Sequence, residues 1–351
     1  MTPLVSVVMS VYNGERYLEA AINSILNQSF TDFEFIIIND GSVDNTSIIL
    51  QKYEHIDERI RVYTQDKSGL VASLNRGCQL AQGKYIARMD ADDISLPERF
   101  CKQVMFMEAN PKVGVCGTWI KTIGQAAGRL VKYPTDDINI RCYLLFDSPI
   151  CHPSAMMRKE LFEKLHLTYN PIHVYGQDYR FWIDCSNFVL MANIGEVLLL
   201  YRSHSGQIGQ KYKNPQSSSA KISYVNILNR LGINPTEEEL EMHNSFRTLR
   251  FPVNQNYIQQ AEAWLSRIQI ANKETGTYDE SALEKIIGQR WFLLCNAATD
   301  LGWSIWKRFW QSPLSQGANL SKKHQIKFLV KASLNWQSQF REQKTKNLKI
   351  E

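Results

Sequence analysis

The chain has 351 residues, of which 44% are hydrophobic and 21% are charged, a composition typical of a globular protein with one large domain or two smaller ones. No apolar stretch approaches the ~20 residues that cross a bilayer as a helix, which excludes an integral membrane protein. The formal net charge is +5, but residues 202–351 carry 21 Lys and Arg against 12 Asp and Glu. The positive charge is therefore concentrated in the last part of the chain.

The seven cysteines are scattered and form no Cys-x-x-Cys pair, which favours reduced thiols in a cytoplasmic protein over a disulfide framework. The first residues carry no basic segment ahead of their apolar run, so no signal peptide is expected. No basic run or zinc-type spacing indicates a nucleic-acid partner. We expect a cytoplasmic protein that reaches the inner face of the membrane if its basic region binds phospholipid headgroups; the alternative is a solvated helical face.

Strand and helix patterns alternate through the first 110 residues. Strands are predicted at 4–12, 33–40, 60–65 and 84–90, and helices at 15–28, 42–55, 69–83 and 96–110. Strands joined by single helices run parallel with right-handed crossovers. The pattern predicts an α/β fold, an open sheet with helices on both faces whose first half is Rossmann-like.

From residue 113 onward the pattern is mixed. It predicts strands at 113–124 and 128–134, a strand and a helix within 152–165, a short helix at 177–186 and a closing pair of strands within 188–204. A polar stretch at 209–221 predicts a linker, and the rest is mainly helical. We expect an α/β domain over 1–210 and a helical region over 211–351 that serves an acceptor, a second subunit or a membrane surface.

Three carboxylates, Asp90, Asp92 and Asp93, follow the fourth predicted strand, and Asp40 ends the second. Ligands of such sheets bind outside the carboxyl ends of the strands, so both acidic segments are expected on one edge. Carboxylates together with substrate phosphates are the usual ligands of Mg²⁺ and Mn²⁺. The spacing predicts a metal-nucleotide site, and the alternative is a solvated acidic loop that caps the next helix.

Four segments together resemble the family 2 glycosyltransferases of the GT-A fold. They are SVYNG at 10–14, NDGSVDNT at 39–46, AQGKYIARMDADD at 81–93 and QDYRFW at 177–182. The resemblance covers roughly residues 3–205. It implies a GT-A type open mixed sheet, and an enzyme that transfers a sugar with inversion from a nucleotide-diphosphate donor, here a UDP-sugar, to an acceptor hydroxyl.

The resemblance also implies roles for residues along the predicted edge. Those expected to bind the nucleotide of the donor are Ser10, Val11, Tyr12, Glu15, Asp40 and Asp90. Asp40 would accept a hydrogen bond from the base, and its alternative role is to cap a helix beside Gly41 and Ser42. Asp92 and Asp93 are expected to bind Mn²⁺ or Mg²⁺ against the two phosphates of the donor.

The later segments of the resemblance imply the remaining roles. Asp178 is expected to take the proton from the acceptor hydroxyl; its alternative role is a helix cap. Gln177 stands where the family usually has Glu, which removes a negative charge beside the base. His152 and Gln177 are expected near the acceptor, although a buried structural histidine is equally consistent with the sequence. Arg202 and His204, in a Tyr-Arg-x-His element, are expected at the diphosphate and the metal.

Tryptophan and basic residues are combined in the C-terminal third. Trp303, Trp306 and Trp310 follow one another at helical spacing, with Lys307 and Arg308 between them. Aromatic residues beside cations on one helix suit a membrane interface. The alternative is a helix whose Trp face packs on the protein or on a second copy in a homo-oligomer.

These patterns predict a metal-dependent inverting glycosyltransferase with a nucleotide-sugar donor and a glycan or lipid-linked acceptor, in the biosynthesis of a surface polysaccharide such as lipopolysaccharide or capsule. A nucleotidyltransferase also pairs Asp residues on an α/β sheet, but residues 10–18 lack its glycine-rich basic loop. A non-catalytic sugar-nucleotide or glycan-binding protein would explain Gln177, but the presence of Asp40, Asp92 and Asp178 argues against it.

Overall fold

The computed structural model describes residues 2–174, 176–206 and 213–347, and their side chains except those of 213–219 and 336–347. Its first half is the predicted alternation of strands and helices. The strands are β1 Val5–Val11, β2 Phe33–Asp40, β3 Ile60–Gln65 and β4 Tyr85–Asp90, and the helices are α1 Leu18–Leu26, α2 Thr46–Ile56 and α3 Leu70–Leu80. The strands pair in parallel in the order β3-β2-β1-β4, which confirms this part of the prediction.

Burial explains why these segments form central strands and covering helices. Every residue of β2 is buried, including the charged Glu34 within its apolar stretch, so both faces of the strand are covered. Helix α1 buries Leu18, Ala21, Ile22 and Ile25, which recur at the three- and four-residue spacing of one helix face. The core of this half therefore follows from patterns that are local in sequence.

The second half of the sheet is mixed. Its strands are β5 Ile94–Ser95, β6 Val113–Gly124, β7 Leu130–Val131, β8 Met156–Arg158 and β9 Leu190–Ser203, and its helices are α4 Arg99–Ala109, α5 Asp137–Leu144, α6 Glu160–Glu163 and α7 Gln177–Cys185. β8 is antiparallel to both β4 and β6, whereas β9 is parallel to β6 and antiparallel to β5. In the described part of the chain, the sheet order is β3-β2-β1-β4-β8-β6-β9-β5, with β7 beside β6. The predicted open mixed sheet is confirmed.

The predicted pair of strands within 188–204 is wrong, because β9 is a single strand. Thr118 of β6 pairs with Ile194 and the next residue, Trp119, pairs with Val197, so two residues of β9 are left over in a bulge. Gly195 is one of them. It interrupts the apolar run and resembles a turn, but a glycine inside a strand also marks a bulge.

The remaining helices are α8 Lys213–Asn229, α9 Glu237–Thr248, α10 Gln255–Thr275, α11 Glu280–Ala297, α12 Trp303–Gln311 and α13 Lys322–Asn347. The predicted linker 209–221 is wrong from residue 213 onward, because α8 begins there, and its earlier residues lie outside the described part. Tyr224, Ile227 and Leu228 are buried and anchor the second part of α8. The polar residues from 213 onward extend the same helix towards its N-terminus. Within the described ranges, no helix is both long enough and apolar enough to cross a membrane.

The chain divides into two compact units. Unit 1 comprises Met1–Ile140 and Ser148–Ser223, and unit 2 comprises Arg141–Asp147 and Tyr224–Glu351. Within unit 2, Nε2 of His243 lies 2.6 Å from the carbonyl oxygen of Leu145, and the rings of His243 and Phe146 stack with centroids 5.0 Å apart. The boundary at residue 210 stays a prediction, and no sequence pattern indicates that 141–147 belongs with the helices.

Candidate active site

The carboxyl ends of β1, β2 and β4 meet at one edge of the sheet in unit 1. Ser10 of β1 pairs with Ile38 of β2 and with Asp90 of β4. Asp40 and Asp90 end the two strands that flank β1. Neighbouring strands lie about 4.8 Å apart, so the two backbones are separated by roughly 10 Å. One ligand of nucleotide size can span that distance, with Ser10 and Val11 between its two ends.

Asp90, Asp92 and Asp93 form a compact carboxylate cluster at this edge. Each offers one carboxylate oxygen, and the three oxygens lie within 4.8 Å of one another. Asp93 is fully buried, whereas Asp90 and Asp92 are partly exposed. Arg88, itself buried, forms an ion pair with Asp90. The cluster therefore has a buried side, where the guanidinium of Arg88 contacts it, and a side that is open to solvent.

The end of β9 closes over this cluster from a distant part of the chain. The backbone N–H of Arg202 donates to Oδ1 of Asp93 at 2.7 Å, and Nε of Arg202 donates to the carbonyl oxygen of Asp92 at 2.6 Å. Nε2 of His204 lies 2.9 Å from Oδ2 of Asp92. The pairing of β5 with β9 brings these segments together, because β5 follows directly after the cluster. The two predicted residues of the Tyr-Arg-x-His element do meet the predicted metal ligands.

Tyr17, just before α1, supports the end of β9. The guanidinium carbon of Arg202 lies 4.5 Å from the centroid of the Tyr17 ring, a cation–π distance. The rings of Tyr17 and His204 have centroids 5.2 Å apart. One aromatic ring thus contacts both side chains that β9 delivers to the cluster.

The cluster is electrostatically unfavourable in the protein alone. Burial, and after it the negative charge of Asp90, raises the pKa of Asp92. Burial and the charges of Asp90 and Asp92 raise the pKa of Asp93 well above its ordinary value. Both groups therefore resist ionisation, although Arg202 and His204 donate to them. A cation at the open side would reverse this effect.

The cluster fits a hard divalent cation. Oδ2 of Asp93 is buried and has no hydrogen-bond partner among the described residues, which is costly for a carboxylate oxygen. Three carboxylates also form the all-oxygen donor set that suits Mg²⁺ or Mn²⁺. His204 uses Nε2 to bind Asp92, so only its Nδ1 remains for the predicted metal contact.

Asp40 has a structural role that the sequence did not indicate. Its Oδ1 accepts from Gln65 Nε2 and from the backbone N–H of Ser68, and its Oδ2 accepts from the backbone N–H of Gly69, each at 2.8 Å. The carboxylate thus holds the loop before α3. Burial raises the pKa of Asp40, but these hydrogen bonds outweigh burial and leave the pKa below its ordinary value. The Ser73 side chain contributes to the same lowering, and a hydrogen bond from a nucleotide base to Asp40 stays a prediction.

Hydrogen bonds join the loop after β1 to the loop after β2. The backbone N–H of Asn13 donates to Ser42 Oγ at 3.0 Å, and Oε2 of Glu15 accepts from both the backbone and the side chain of Asn45. Gly41, at φ 71°, has the backbone nitrogen of Lys67 2.9 Å from the position of an added Cβ. A side chain at position 41 would clash with the backbone of Lys67, in the loop before α3. Of the predicted nucleotide residues, Ser10 and Val11 therefore end β1, whereas Tyr12 and Glu15 lie on this braced loop.

Tyr12 lies at the exposed rim of this loop. The ammonium nitrogen of Lys67 lies 3.9 Å from the centroid of the Tyr12 ring. The pair combines a flat aromatic face with a positive charge, which suits a base and a phosphate respectively.

Asp178 lies in the first turn of α7, which begins at Gln177. The N-cap residue is Gly176, with φ 111°, so Asp178 is not the helix cap that the alternative required. In the first turn, the helix dipole stabilises an ionised carboxylate. Gln177 is buried and its Oε1 accepts from the backbone N–H of Gly176 at 3.1 Å. Gln177 thus shapes the start of the helix that carries Asp178.

Electrostatics relate Asp178 to the carboxylate cluster. The pKa of the buried Cys151 thiol is raised by burial first, and then by the charges of Asp93, Asp90 and Asp178. A shared site for Asp178 and the cluster stays a prediction.

His152 lies in a buried aromatic cluster. Its Nε2 is 2.9 Å from the hydroxyl of Tyr169, and its ring is edge-on to Trp182. Asn75 holds Tyr169 by two hydrogen bonds to the backbone. Burial, and after it Arg88, lowers the pKa of His152 well below its ordinary value, so the ring is neutral. These contacts are structural, and a role at the acceptor stays a prediction.

Comparison with known proteins identifies the family. A family model described as Glycosyl transferase family 2 matches residues 6–166. An uncharacterized glycosyltransferase of Haemophilus influenzae is 36% identical over 246 residues, which are 66% of this chain and 76% of that one. The chain belongs to glycosyl transferase family 2. The O-antigen biosynthesis glycosyltransferase WbnJ of Escherichia coli is another relative, 34% identical over 58% of this chain and 80% of its own length.

Solved structures share the fold of this family 2 glycosyltransferase. TarS residues 1–349 of S. aureus in complex with UDP-GlcNAc has a TM-score of 0.55 at 14% identity, over 95% of this chain and 91% of that one. The same segment in complex with UDP has a TM-score of 0.53 at 15% identity. At these identities the likeness concerns the fold alone, and it confirms the predicted GT-A type.

Two features of this family 2 site were missed from the sequence. Tyr17 follows the SVYNG segment at no recognisable spacing, so only the contacts of its ring identify it. Arg88 is buried and bound to Asp90 and to the carbonyl oxygen of Met89, and no pattern in the sequence indicates these contacts. Arg88 therefore stabilises the cluster from behind.

Proposed function

We propose that this family 2 enzyme is an inverting glycosyltransferase that moves a sugar from a UDP-sugar to an acceptor hydroxyl with the aid of a divalent cation. The observation that supports this most strongly is the carboxylate cluster. Asp90, Asp92 and Asp93 present three oxygens within 4.8 Å, at the edge where α/β sheets bind ligands. The unpartnered, buried Oδ2 of Asp93 favours a cation there over a solvated acidic loop.

The donor nucleotide is proposed to lie across the ends of β1, β2 and β4. Ser10, Val11 and Asp90 would line the ribose, Tyr12 and Asp40 the base, and Glu15 would brace their loop through Asn45. A carboxylate offers only acceptors, so Asp40 suits the N3–H of uracil. The TarS structures contain UDP and UDP-GlcNAc, and we extend that donor class to this chain as part of the proposal.

Asp92 and Asp93 would hold Mn²⁺ or Mg²⁺, which neutralises charge on the departing diphosphate when bound. Arg202 would contact the diphosphate while its backbone keeps Asp93 in place, and His204 would orient Asp92. Asp178 would accept the proton of the acceptor hydroxyl as its oxygen attacks the anomeric carbon. The bond from that carbon to the diphosphate breaks with its electron pair, and attack from the opposite face inverts the configuration.

Relatives of this chain act in polysaccharide biosynthesis. WbnJ is named for O-antigen, and TuaG of Bacillus subtilis, 44% identical over 106 residues, is named for teichuronic acid. We propose a glycan or lipid-linked acceptor of a surface polysaccharide, with the enzyme on the cytoplasmic side of the membrane. His152 and Gln177 would support the acceptor pocket through α7 and the Tyr169 loop.

The test is nucleotide release from UDP-sugars, including UDP-GlcNAc, with Mn²⁺, with Mg²⁺ and with EDTA. The proposal expects cation-dependent release of UDP. Release of pyrophosphate from a nucleoside triphosphate and a sugar phosphate would instead identify a nucleotidyltransferase. A binding protein would bind UDP-sugars and release nothing.

Variants separate binding from turnover. Asp92→Asn is expected to lose the cation dependence of UDP binding in calorimetry. Asp184→Asn is the matched control, because Asp184 forms an ion pair with Arg180 on α7 and has no role in the proposal. UDP binding that is equally cation-dependent in Asp92→Asn and in the wild type would contradict the metal site.

A further inference from the structure

A long segment of unit 2 has no acidic residue. Residues 301–341 contain seven Lys and Arg and no Asp or Glu. Within the described side chains of this segment, Arg308 forms an ion pair with Glu262. Because the segment has no acidic side chain, its own residues cannot neutralise its positive charge.

Helix α13 exposes an apolar row within this segment. Ile326, Val330 and Leu334 are 60%, 47% and 59% exposed. They stand four residues apart and so share one face of the helix. Phe328 and Ala332 on the other side are buried, and the Phe328 ring packs against Phe309 at 5.5 Å between centroids. The apolar row is therefore not the side that holds α13 to unit 2.

A row of lysines runs beside the apolar row. Lys323, Lys327 and Lys331 are exposed and also stand four residues apart, so the two rows are neighbours on the helix. No ion pair joins these lysines to any side chain that the structure describes. We call the six residues of the two rows the outer face of α13.

Helix α12 of the same unit also exposes tryptophan and lysine. Trp303 and Trp310 are exposed, and Lys307 between them is exposed as well, whereas Ile305 and Phe309 are buried. Tryptophan is enriched where an apolar and an aqueous phase meet. Both helices thus combine exposed apolar side chains with lysine.

We propose that the outer face of α13 binds the surface of an anionic phospholipid bilayer, with the apolar row in the headgroup boundary and the lysines at the phosphates. Helices with an apolar row beside a row of lysines bind membranes in this way. A second copy is a poorer occupant, since a twofold interface would bring the lysine rows of both copies together. The proposal concerns where the enzyme binds and does not depend on its sugar chemistry.

The test is vesicle flotation of the full chain with two lipid compositions, phosphatidylcholine alone and phosphatidylcholine with phosphatidylglycerol. Binding is expected only to the anionic vesicles, and it should weaken at high salt. Each lysine near an anionic surface strengthens binding about fivefold. The combined variant Lys323→Gln, Lys327→Gln, Lys331→Gln should therefore bind about a hundredfold more weakly.

Two matched controls separate the effect of the outer face of α13 from general effects of charge and of exposed apolar side chains. Lys52→Gln, Lys84→Gln, Lys164→Gln removes the same charge from unit 1 and should bind as the wild type. Ile326→Ser, Val330→Ser, Leu334→Ser should lose binding, whereas Ile56→Ser with Ile270→Ser, at 64% and 58% exposed, should retain it. Because all these side chains are exposed, melting temperatures should stay near that of the wild type.

Three outcomes would overturn the proposal. Equal binding to both lipid compositions would show that the lysines do not select the surface. Retained binding in either α13 variant would place the contact elsewhere. A concentration-dependent dimer that Ile326→Ser, Val330→Ser, Leu334→Ser dissolves, with no vesicle binding, would show that a second copy covers the outer face.

Discussion

The parallel half of the sheet, β1 to β4, and the mixed half, β5 to β9, depend on different information. In the parallel half each strand has at least six residues, and β1, β2 and β3 are each followed by one helix, so the pattern and the crossover rule predict the topology. In the mixed half β5 and β7 have two residues and β8 has three. Such strands have no periodicity of their own and exist because β4, β6 and β9 offer hydrogen bonds. The carboxylate cluster lies where the two halves meet.

The largest effect is expected from Asp178→Asn, which removes the proposed base supplied by the mixed half. Transfer should fall by about 10²- to 10⁴-fold, whereas UDP binding, assigned to the parallel half, should be unchanged. Steady-state kinetics and calorimetry measure the two quantities. A parallel loss of UDP affinity would show that the halves do not divide the work in this way.

Gln103→Leu is expected to weaken the junction between the halves. Nε2 of Gln103 donates to the carbonyl oxygens of Cys116 and Ser154, and its Oε1 accepts from the buried Arg99. Leucine would leave these groups unpaired and lower the free energy of unfolding by about 2–4 kcal/mol. Denaturant titration measures it, and the exposed Gln51→Leu should change stability by less than about 0.5 kcal/mol.

A pH effect on stability is expected from His243, which contacts the segment 141–147 across about 100 residues of sequence. His243 Nε2 donates to Leu145, so its Nδ1 accepts from Trp264 and the ring is neutral. Burial lowers the pKa of His243 from its ordinary 6.5 to about 4. Its stabilisation is therefore present above pH 6.5 and is lost as the pH falls from 6.5 towards 4.

The wild type should lose about 2 kcal/mol of unfolding free energy between pH 7 and pH 5 through this group. His243→Gln keeps one donor and one acceptor but does not titrate, so the loss should be smaller by that amount. Denaturant titrations at the two pH values compare them. Equal losses in both proteins would show that His243 is not neutral in the folded state.

The smallest effect is expected from Tyr17, whose ring supports the end of β9. Tyr17→Leu should weaken Mn²⁺ binding, measured by calorimetry with UDP present, by about fivefold, because a lost cation–π contact is worth about 1 kcal/mol. Tyr17→Phe keeps the ring and should bind Mn²⁺ as the wild type. Weakening in both variants would assign the effect to the hydroxyl.

The sequence predicted residues of the site better than it predicted their contacts. Asp90, Asp92 and Asp93 were found because they directly follow a buried strand. The bonds of Arg202 and His204 to Asp92 and Asp93 span about 110 residues and depend on the pairing of β5 with β9. The resemblance indicated both segments, but not which atoms meet.

By itself, the amino-acid sequence determined the parallel half, the family and the acidic edge, because apolar periodicity and strand-end position are local properties. The tertiary structure alone decided that β9 is one bulged strand, that Tyr17 supports Arg202, and that 141–147 joins the helices. Each of these depends on which surfaces remain to be covered once the larger elements have packed. That outcome depends on the whole chain, and no short stretch of residues encodes it.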